Sequence, residues 1–270
     1  MKKLTMLLIC LLLLSMTACG ENTDTTPSTA PTQPPTKTVY VHASITQEYG
    51  STTNRTEYLF DLENHVNQVV IYTNGEETKR HNVQCDKNGN YVKWVSDGSV
   101  TEYSYDDQGN SLGMSLYIND VLISTTAYTW ENGLRTSVTT TMETQGMTQR
   151  ILMTYDSSGR LLRQDTYTAD TLSSYSIYAT DENGQVSSVT LYQPDGTLIS
   201  TSTYVRTSTM ETITSTLPDG TVNQTAILTY DQHGNLLTQE IFDRNGQSIS
   251  KETHTWREVI VPIDCPRASV

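Results

Sequence analysis

A short turn motif that recurs along the chain is the feature that most constrains the fold. In its fullest form an aromatic residue is followed by an aspartate, two variable residues and a glycine, as in Tyr155–Gly159 and Tyr230–Gly234. Related segments lie at Phe60–Asn64, Cys85–Gly89, Tyr105–Gly109, Trp130–Gly133 and Thr180–Gly184, with a degenerate copy near Thr209. The copies recur about every 25 residues, and a fixed period of this length is typical of repeat architectures.

A second turn signal lies roughly halfway between successive copies. It is an Asn-Gly or Asp-Gly pair at Asn74-Gly75, Asp195-Gly196, Asp219-Gly220 and Asn245-Gly246. Such pairs adopt the positive φ that tight hairpins require. The intervening segments are rich in Thr, Tyr, Val and Ile, which favour strands, and connections this short cannot make parallel crossovers. The sequence therefore predicts an all-β antiparallel meander of stacked β-hairpins.

The composition predicts how well this sheet is covered. Hydrophobic residues make up only 36% of the chain, and tyrosine outnumbers phenylalanine by 16 to 2. Tyrosine suits a partly covered sheet face, because its ring can be buried while its hydroxyl reaches water. We expect an elongated twisted sheet. The alternatives are a curled half-barrel or a closed barrel, which would remove the sheet edges.

The motif also carries a family resemblance. Tyr155–Leu162 and Tyr230–Leu237 share the pattern Tyr-Asp-x-x-Gly-[Asn/Arg]-Leu-Leu, which resembles the YD repeat of RHS-type proteins. That family builds long β-hairpin sheets, which large members curl into a shell. The resemblance covers most of residues 60 to 256. No cleavage region or C-terminal toxin domain is recognisable, so the family's toxin-delivery role is not expected. A MORN-like hairpin repeat is the neighbouring alternative, but its additional glycines are missing.

The first residues indicate export and lipidation. A basic start is followed by the apolar stretch Leu4–Leu14, which is too short to span a bilayer as a helix. Met16-Thr17-Ala18-Cys19 then resembles a bacterial lipobox, in which Cys19 becomes the first residue and carries the lipid. This resemblance implies a chain that is lipid-anchored through Cys19 on the extracytoplasmic side of the cell membrane.

The domain organisation follows from these signals. We expect a signal peptide at 1–18, the lipidated cysteine with a disordered Thr/Pro-rich tether at 19–37, a repeat domain at 38–258 and a C-terminal tail at 259–270. The net charge of −13 argues against a nucleic-acid partner.

A row of aromatic residues is the best candidate for a binding face. It follows the turn glycine (or Asn64) by eight residues and comprises Tyr72, Tyr117, Tyr167, Tyr192 and Phe242. Such a row can stack on sugars or receive a peptide strand, so a glycan, a peptide or an envelope protein is a possible partner. The alternative, which we favour, is that these side chains form cross-strand pairs that stabilise the repeats.

Catalytic and metal signals are weak. Gly109–Gly113 matches G-x-S-x-G but lacks the strand-turn-helix context of a nucleophile elbow, and the five histidines are scattered, which predicts surface residues. We expect no catalytic residue, metal or cofactor. Cys85 and Cys265 could form a disulfide in an oxidising compartment. The favoured function is a non-enzymatic binding or structural module; the alternatives are a hydrolase with a site assembled from distant strands and a ligand-free envelope spacer.

Overall fold

A computed structural model describes residues 36–61 and 65–262, with no side-chain description for residues 261 and 262. These ranges contain 18 β-strands. No helix that could cross a membrane occurs in this part of the chain. The strands are β1 Thr36–Tyr49, β2 Thr52–Phe60, β3 Val66–Thr73, β4 Glu76–Cys85, β5 Tyr91–Ser96, β6 Ser99–Tyr105, β7 Ser111–Ile118, β8 Val121–Glu131, β9 Leu134–Met142, β10 Met147–Tyr155, β11 Leu161–Thr168, β12 Thr171–Thr180, β13 Val186–Tyr192, β14 Leu198–Arg206, β15 Met210–Thr216, β16 Val222–Tyr230, β17 Leu236–Asp243 and β18 Ser248–Pro262.

The strands form a closed antiparallel barrel. Each strand pairs with the next along the chain, and β1 also pairs with β18 from Thr36↔Pro262 to Glu48↔Lys251. The predicted all-β meander of hairpins is confirmed. The expectation of an elongated open sheet is wrong, and the closed-barrel alternative is correct. Closure is favourable because an open sheet would leave two rows of backbone N–H and C=O groups unpaired.

Regular β-bulges bend the strands around the ring. In β10–β11, Thr154↔Arg163 is followed by Tyr155↔Leu161, which leaves Leu162 as an extra residue. A bulge also follows at the other end of the next hairpin, where the register shifts between Thr166 and Tyr167. Similar shifts recur in most of the other hairpins. Bulges increase the local twist and bend of a strand, so their repetition curves the sheet towards closure.

The described copies of the motif named above form turns at one end of the barrel, here named the DxxG rim, and Phe242–Gly246 forms an equivalent turn at the opposite end. In a representative turn, Asp156 Oδ1 accepts hydrogen bonds from the backbone N–H groups of Ser158 at 2.8 Å and Arg160 at 2.9 Å. Gly159 has φ of +82° and donates to the Asp156 carbonyl at 3.0 Å. The degenerate copy near Thr209 is confirmed as a turn, because the Thr207 hydroxyl accepts from the Met210 N–H at 3.1 Å in place of the carboxylate.

Tyrosine and tryptophan side chains near the DxxG rim fasten neighbouring strands together. Trp130 Nε1 donates to the Ser111 carbonyl, Tyr155 Oη to the Arg135 carbonyl and Trp256 Nε1 to the Leu236 carbonyl, each at 2.7 Å. Cys85 occupies the same position in its repeat, and its Sγ donates to the Val66 carbonyl at 3.3 Å. A side-chain donor at this position thus joins neighbouring strands in these repeats, whereas Phe60 in its own repeat has no donor.

Gly113 in β7 lies very close to the backbone of the neighbouring strand β8. Its φ is +156°, and a Cβ added there would lie 2.1 Å from the Thr126 carbonyl oxygen. We expect Gly113→Ala to lower the free energy of unfolding by about 2–4 kcal/mol, because backbone strain and overpacking combine. Ser115→Ala, two residues along β7, should change it by less than about 0.5 kcal/mol. Urea denaturation of both variants measures the difference, and equal stabilities would contradict the expected clash.

Candidate functional site

The two faces of the barrel wall can be told apart from the tyrosines. Tyr58 in β2 and Tyr103 in β6 are four strands apart, or about 19 Å along the wall. Even so, charge on Tyr58 contributes to raising the pKa of Tyr103, after burial and the charge on Tyr128. The phenols can interact over that arc only from its concave side. The face that carries Tyr58, Tyr103 and Tyr128 therefore lines the interior, and is here named the lumen face.

Aromatic side chains form a belt on the lumen face near the DxxG rim. The belt comprises Tyr58, Tyr103, Tyr105, Tyr128, Trp130, Tyr155, Tyr178, Tyr204, Tyr230 and Trp256. Burial is the main cause that raises the pKa of Tyr105, Tyr178 and Tyr230 to about 12. These phenols are therefore neutral hydrogen-bond donors at physiological pH.

Aliphatic side chains extend the lumen face beyond this belt. Directly paired residues of adjacent strands share a face. The tyrosine partners are Val69 opposite Tyr58, Val138 opposite Tyr128, Val189 opposite Tyr178 and Ile213 opposite Tyr204. Serines and threonines such as Ser176, Ser202 and Thr126 alternate with them on the same face. The lumen face thus combines apolar and aromatic side chains with hydroxyl groups and with a smaller number of amide and charged groups, such as Gln164, Gln239 and Glu252.

Part of the lumen face is accessible to solvent. Lumen-face Met114, opposite Tyr103, is 39% exposed. Eighteen strands at about 4.8 Å spacing give a circumference of roughly 86 Å, hence a backbone diameter of about 27 Å if the barrel is round and the strands untilted. Barrels of this strand number leave room for water or a ligand.

The outer face is more polar, although it also exposes the apolar side chains of Ile177 and Val205. It carries the ion pairs Arg55–Glu57 at 3.0 Å, Lys93–Glu102 at 2.9 Å and Arg163–Asp165 at 2.7 Å. Threonine and serine occupy much of the remaining outer surface, as at Thr139, Thr190, Thr203 and Thr225. The barrel is therefore amphipathic in section, with its more apolar side inward.

The predicted aromatic row lies on the outer face, on odd-numbered strands near the rim opposite the DxxG turns. Its members are Tyr72, Tyr117, Tyr167, Tyr192 and Phe242. The guanidinium of Arg55 lies 4.7 Å from the Tyr72 ring, and that of Arg150 lies 5.1 Å from the Tyr167 ring. Tyr192 stacks on a cross-strand neighbour, Tyr175, at 5.0 Å. The row is a set of half-buried rings, several of which already have a cross-strand partner.

Two histidines that are distant in sequence meet at the seam between β1 and β18. His42 Nε2 lies 3.2 Å from His254 Nδ1, and the centroid of the His42 ring lies 3.9 Å from that of the tilted Trp256 ring. His254 Nε2 lies 2.8 Å from Glu252 Oε1, whose other oxygen accepts from Gln47 at 2.7 Å. The expectation that all five histidines are surface residues is wrong at His254, which is 8% exposed. Only the closing strand pair brings these residues together, so local spacing gave no signal.

Burial is the main cause that lowers the pKa of His42 to about 4, and the nearby His254 adds to the effect. The close contact with His254 lowers the pKa of Glu252. His42 is therefore neutral in the folded barrel at pH values where it would already be protonated in the unfolded chain.

Acidification should weaken the barrel through His42. Stability from the neutral imidazole is complete above pH 6.5 and is lost as the pH falls towards 4, because the unfolded chain then binds the additional proton. We expect a decrease of up to about 3 kcal/mol over that window. Urea unfolding at pH 7.5 and 4.5 measures it. His42→Gln should flatten this dependence, and an unchanged pH profile in that variant would contradict the assignment.

Three residues named in the sequence analysis lie outside the described residues. They are Cys19, the expected lipidation site, Asn64, a turn residue of the motif, and Cys265, the possible disulfide partner of Cys85. The Gly109–Gly113 motif is a DxxG turn followed by the start of β7, and the Ser111 carbonyl accepts the Trp130 hydrogen bond.

Comparison with known proteins yields a family model over residues 101–217 that is described only as an uncharacterised protein. No curated protein has a matching sequence. A porin-like protein from Bacteroides vulgatus ATCC 8482 is 9% identical, with 81% of this chain and 99% of that chain covered, at a TM-score of 0.37. A porin-like protein from Bacteroides uniformis ATCC 8492 is 12% identical, with 80% and 96% covered, at 0.31.

The structure of TcdB2-TccC3 without its hypervariable C-terminal region is 14% identical over 70% of this chain, at a TM-score of 0.25. The chain spans about 14% of that protein's length. Similarity at this level assigns no function to this chain.

Proposed function

We propose that this protein is a non-enzymatic binding module whose lumen receives an extended, largely apolar ligand. The observation that carries the proposal is the accessible lumen with a face more apolar than the outer face. The lipobox resemblance at Cys19 supports a lipid-anchored position on the extracytoplasmic side of the cell membrane, where such a ligand could be received.

Exposed apolar surface inside the barrel provides the driving force. Lumen-face Met114 and Ile118 are 39% and 43% exposed. Burying apolar surface stabilises a complex by about 25 cal/mol per Å², and contiguous apolar patches mark ligand sites. Flexible methionine side chains adapt to irregular ligands, while the hydroxyl groups between them can orient a polar segment.

The contacts of His42 and His254 at the seam between β1 and β18 make a hydrolase the less suitable proposal. Covalent hydrolysis would require a serine, threonine or cysteine nucleophile within hydrogen-bonding reach of a histidine base. Ser44 and Thr255, which adjoin the histidine pair in sequence, lie on the outer face and hydrogen bond to each other at 2.8 Å. His42 and His254 are instead engaged with each other and with Glu252.

Charge placed on the two faces of β13 tests the lumen as the ligand site. Val189→Glu/Leu191→Glu puts two carboxylates on the lumen face, and Ser188→Glu/Thr190→Glu puts the same charge on the outer face of the same strand. We expect the lumen variant to bind a polarity-sensitive naphthylamine dye at least about tenfold more weakly, because the apolar surface is interrupted. The outer variant should bind like the original protein.

Fluorescence titration measures the affinities, and circular dichroism checks that each variant is folded. If the folded original protein does not bind the dye, the ligand-free spacer becomes the better proposal. If the two double variants weaken binding equally, the site does not lie in the lumen.

For the outer aromatic row, we propose a structural role in place of ligand recognition, because several of its rings already contact Arg55, Arg150 or Tyr175. Tyr167→Leu/Tyr192→Leu should lower the free energy of unfolding by about 1–2 kcal/mol, through loss of cation–π and cross-strand ring contacts. Urea denaturation measures this change. Binding to a glycan and peptide array is the second measurement. Specific binding by the original protein that is lost in the variant, at unchanged stability, would contradict the structural role and make the row a recognition surface.

A further inference from the structure

Arg135 is held among aromatic side chains on the lumen face near the DxxG rim. It begins β9 opposite Trp130, and its guanidinium carbon lies 5.4 Å from the Tyr128 ring and 6.0 Å from the Trp130 ring. The Tyr155 hydroxyl donates to the Arg135 backbone carbonyl at 2.7 Å. Two members of the aromatic belt thus flank the guanidinium, and a third holds the backbone that carries it.

Arg135 differs from most other arginines of the barrel in having no acidic partner. Within residues 36–61 and 65–262, no carboxylate lies within 4.0 Å of its guanidinium, and its buried Nε makes no hydrogen bond. Arg206, which lies on the lumen face beside Tyr204, has Glu211 at 2.5 Å. The carboxylate of the adjoining DxxG turn, Asp156, is taken by Arg160 at 2.6 Å.

This isolation is informative in an acidic chain. The sequence has 30 acidic and 17 basic residues, so carboxylates are abundant. A partly desolvated guanidinium without an anion has unused hydrogen-bonding capacity, which stacking on rings satisfies only in part. Its planar set of donors matches the two oxygens of a carboxylate.

The surroundings of Arg135 indicate what the anion is attached to. Val138, three residues further along β9, pairs with Tyr128 on one side and with Ile151 on the other. An apolar path therefore leads from the guanidinium along the lumen face. Tyr103 and Tyr105 of the aromatic belt are neutral, so they place no competing negative charge near an incoming anion.

We propose that Arg135 binds the carboxylate of an amphiphilic ligand, such as a long-chain fatty acid, whose apolar chain lies along Val138 and Ile151. This inference rests on the proposed lumen function and names the ligand class for it. Tyr128 and Trp130 orient the guanidinium, and the Tyr155 hydrogen bond fixes the backbone that carries it.

Palmitate and methyl palmitate are suitable probes, because they share the apolar chain and differ in charge. We expect the original protein to bind palmitate about 10- to 100-fold more tightly than the ester, as measured by displacement of the naphthylamine dye. Arg135→Gln should remove this preference while the ester affinity stays unchanged. Arg135→Lys should retain part of it.

Arg150→Gln is the matched control. Arg150 also stacks on a tyrosine, Tyr167, and also has a buried Nε without a hydrogen bond, but it lies on the outer face. This variant should keep the full preference for palmitate. Thermal unfolding of all variants confirms that the barrel is intact.

The outcomes separate the two proposals. Equal affinity of the original protein for both probes, or a preference that survives in folded Arg135→Gln, overturns the role of Arg135 and leaves the lumen function standing. Failure of the dye and of both probes to bind the original protein overturns the lumen function itself.

Discussion

The pairing of β1 with β18 is the constraint on which the rest of the structure depends. It joins residues near the two ends of the described chain through a long run of registered pairs with a single shift between His42 and Ser44. Without it the meander would be an open sheet with two free edges and no interior. With this pair, the sheet closes and one of its faces becomes the concave lining of a lumen. The aromatic belt then lies inside the barrel, and His42 contacts His254 across the seam.

Local repeat chemistry prepares the chain for that closure. Each DxxG turn is closed by an aspartate that accepts backbone hydrogen bonds, as Asp156 does, and by a glycine with positive φ. At Trp130 and Tyr155 the aromatic residue before the turn donates to a backbone carbonyl of the preceding strand, and the bulge beside the turn adds curvature. Because the same unit recurs, the curvature accumulates in one direction around the ring.

Closure also decides how the side chains are used. Tyr103 and Tyr128 face a shared interior, while Tyr167 and Tyr192 lie on the outside against Arg150 and Tyr175. Two sets of tyrosines that look alike in sequence thus serve different surfaces. The lumen set, together with Arg135, forms an environment in which an apolar chain and a carboxylate would both be accommodated.

The sequence by itself determined the strands, the turns and their period, because hairpin formation depends on residues close together in the chain, such as Asp231 and Gly234. It also indicated the partly covered aromatic face. It could not decide between an open and a closed sheet, since that choice depends on curvature summed over many bulges and on one strand pair of very long sequence separation. Consequently the contact of His42 with His254, and the isolation of Arg135 among lumen aromatics, were decided only by the tertiary structure.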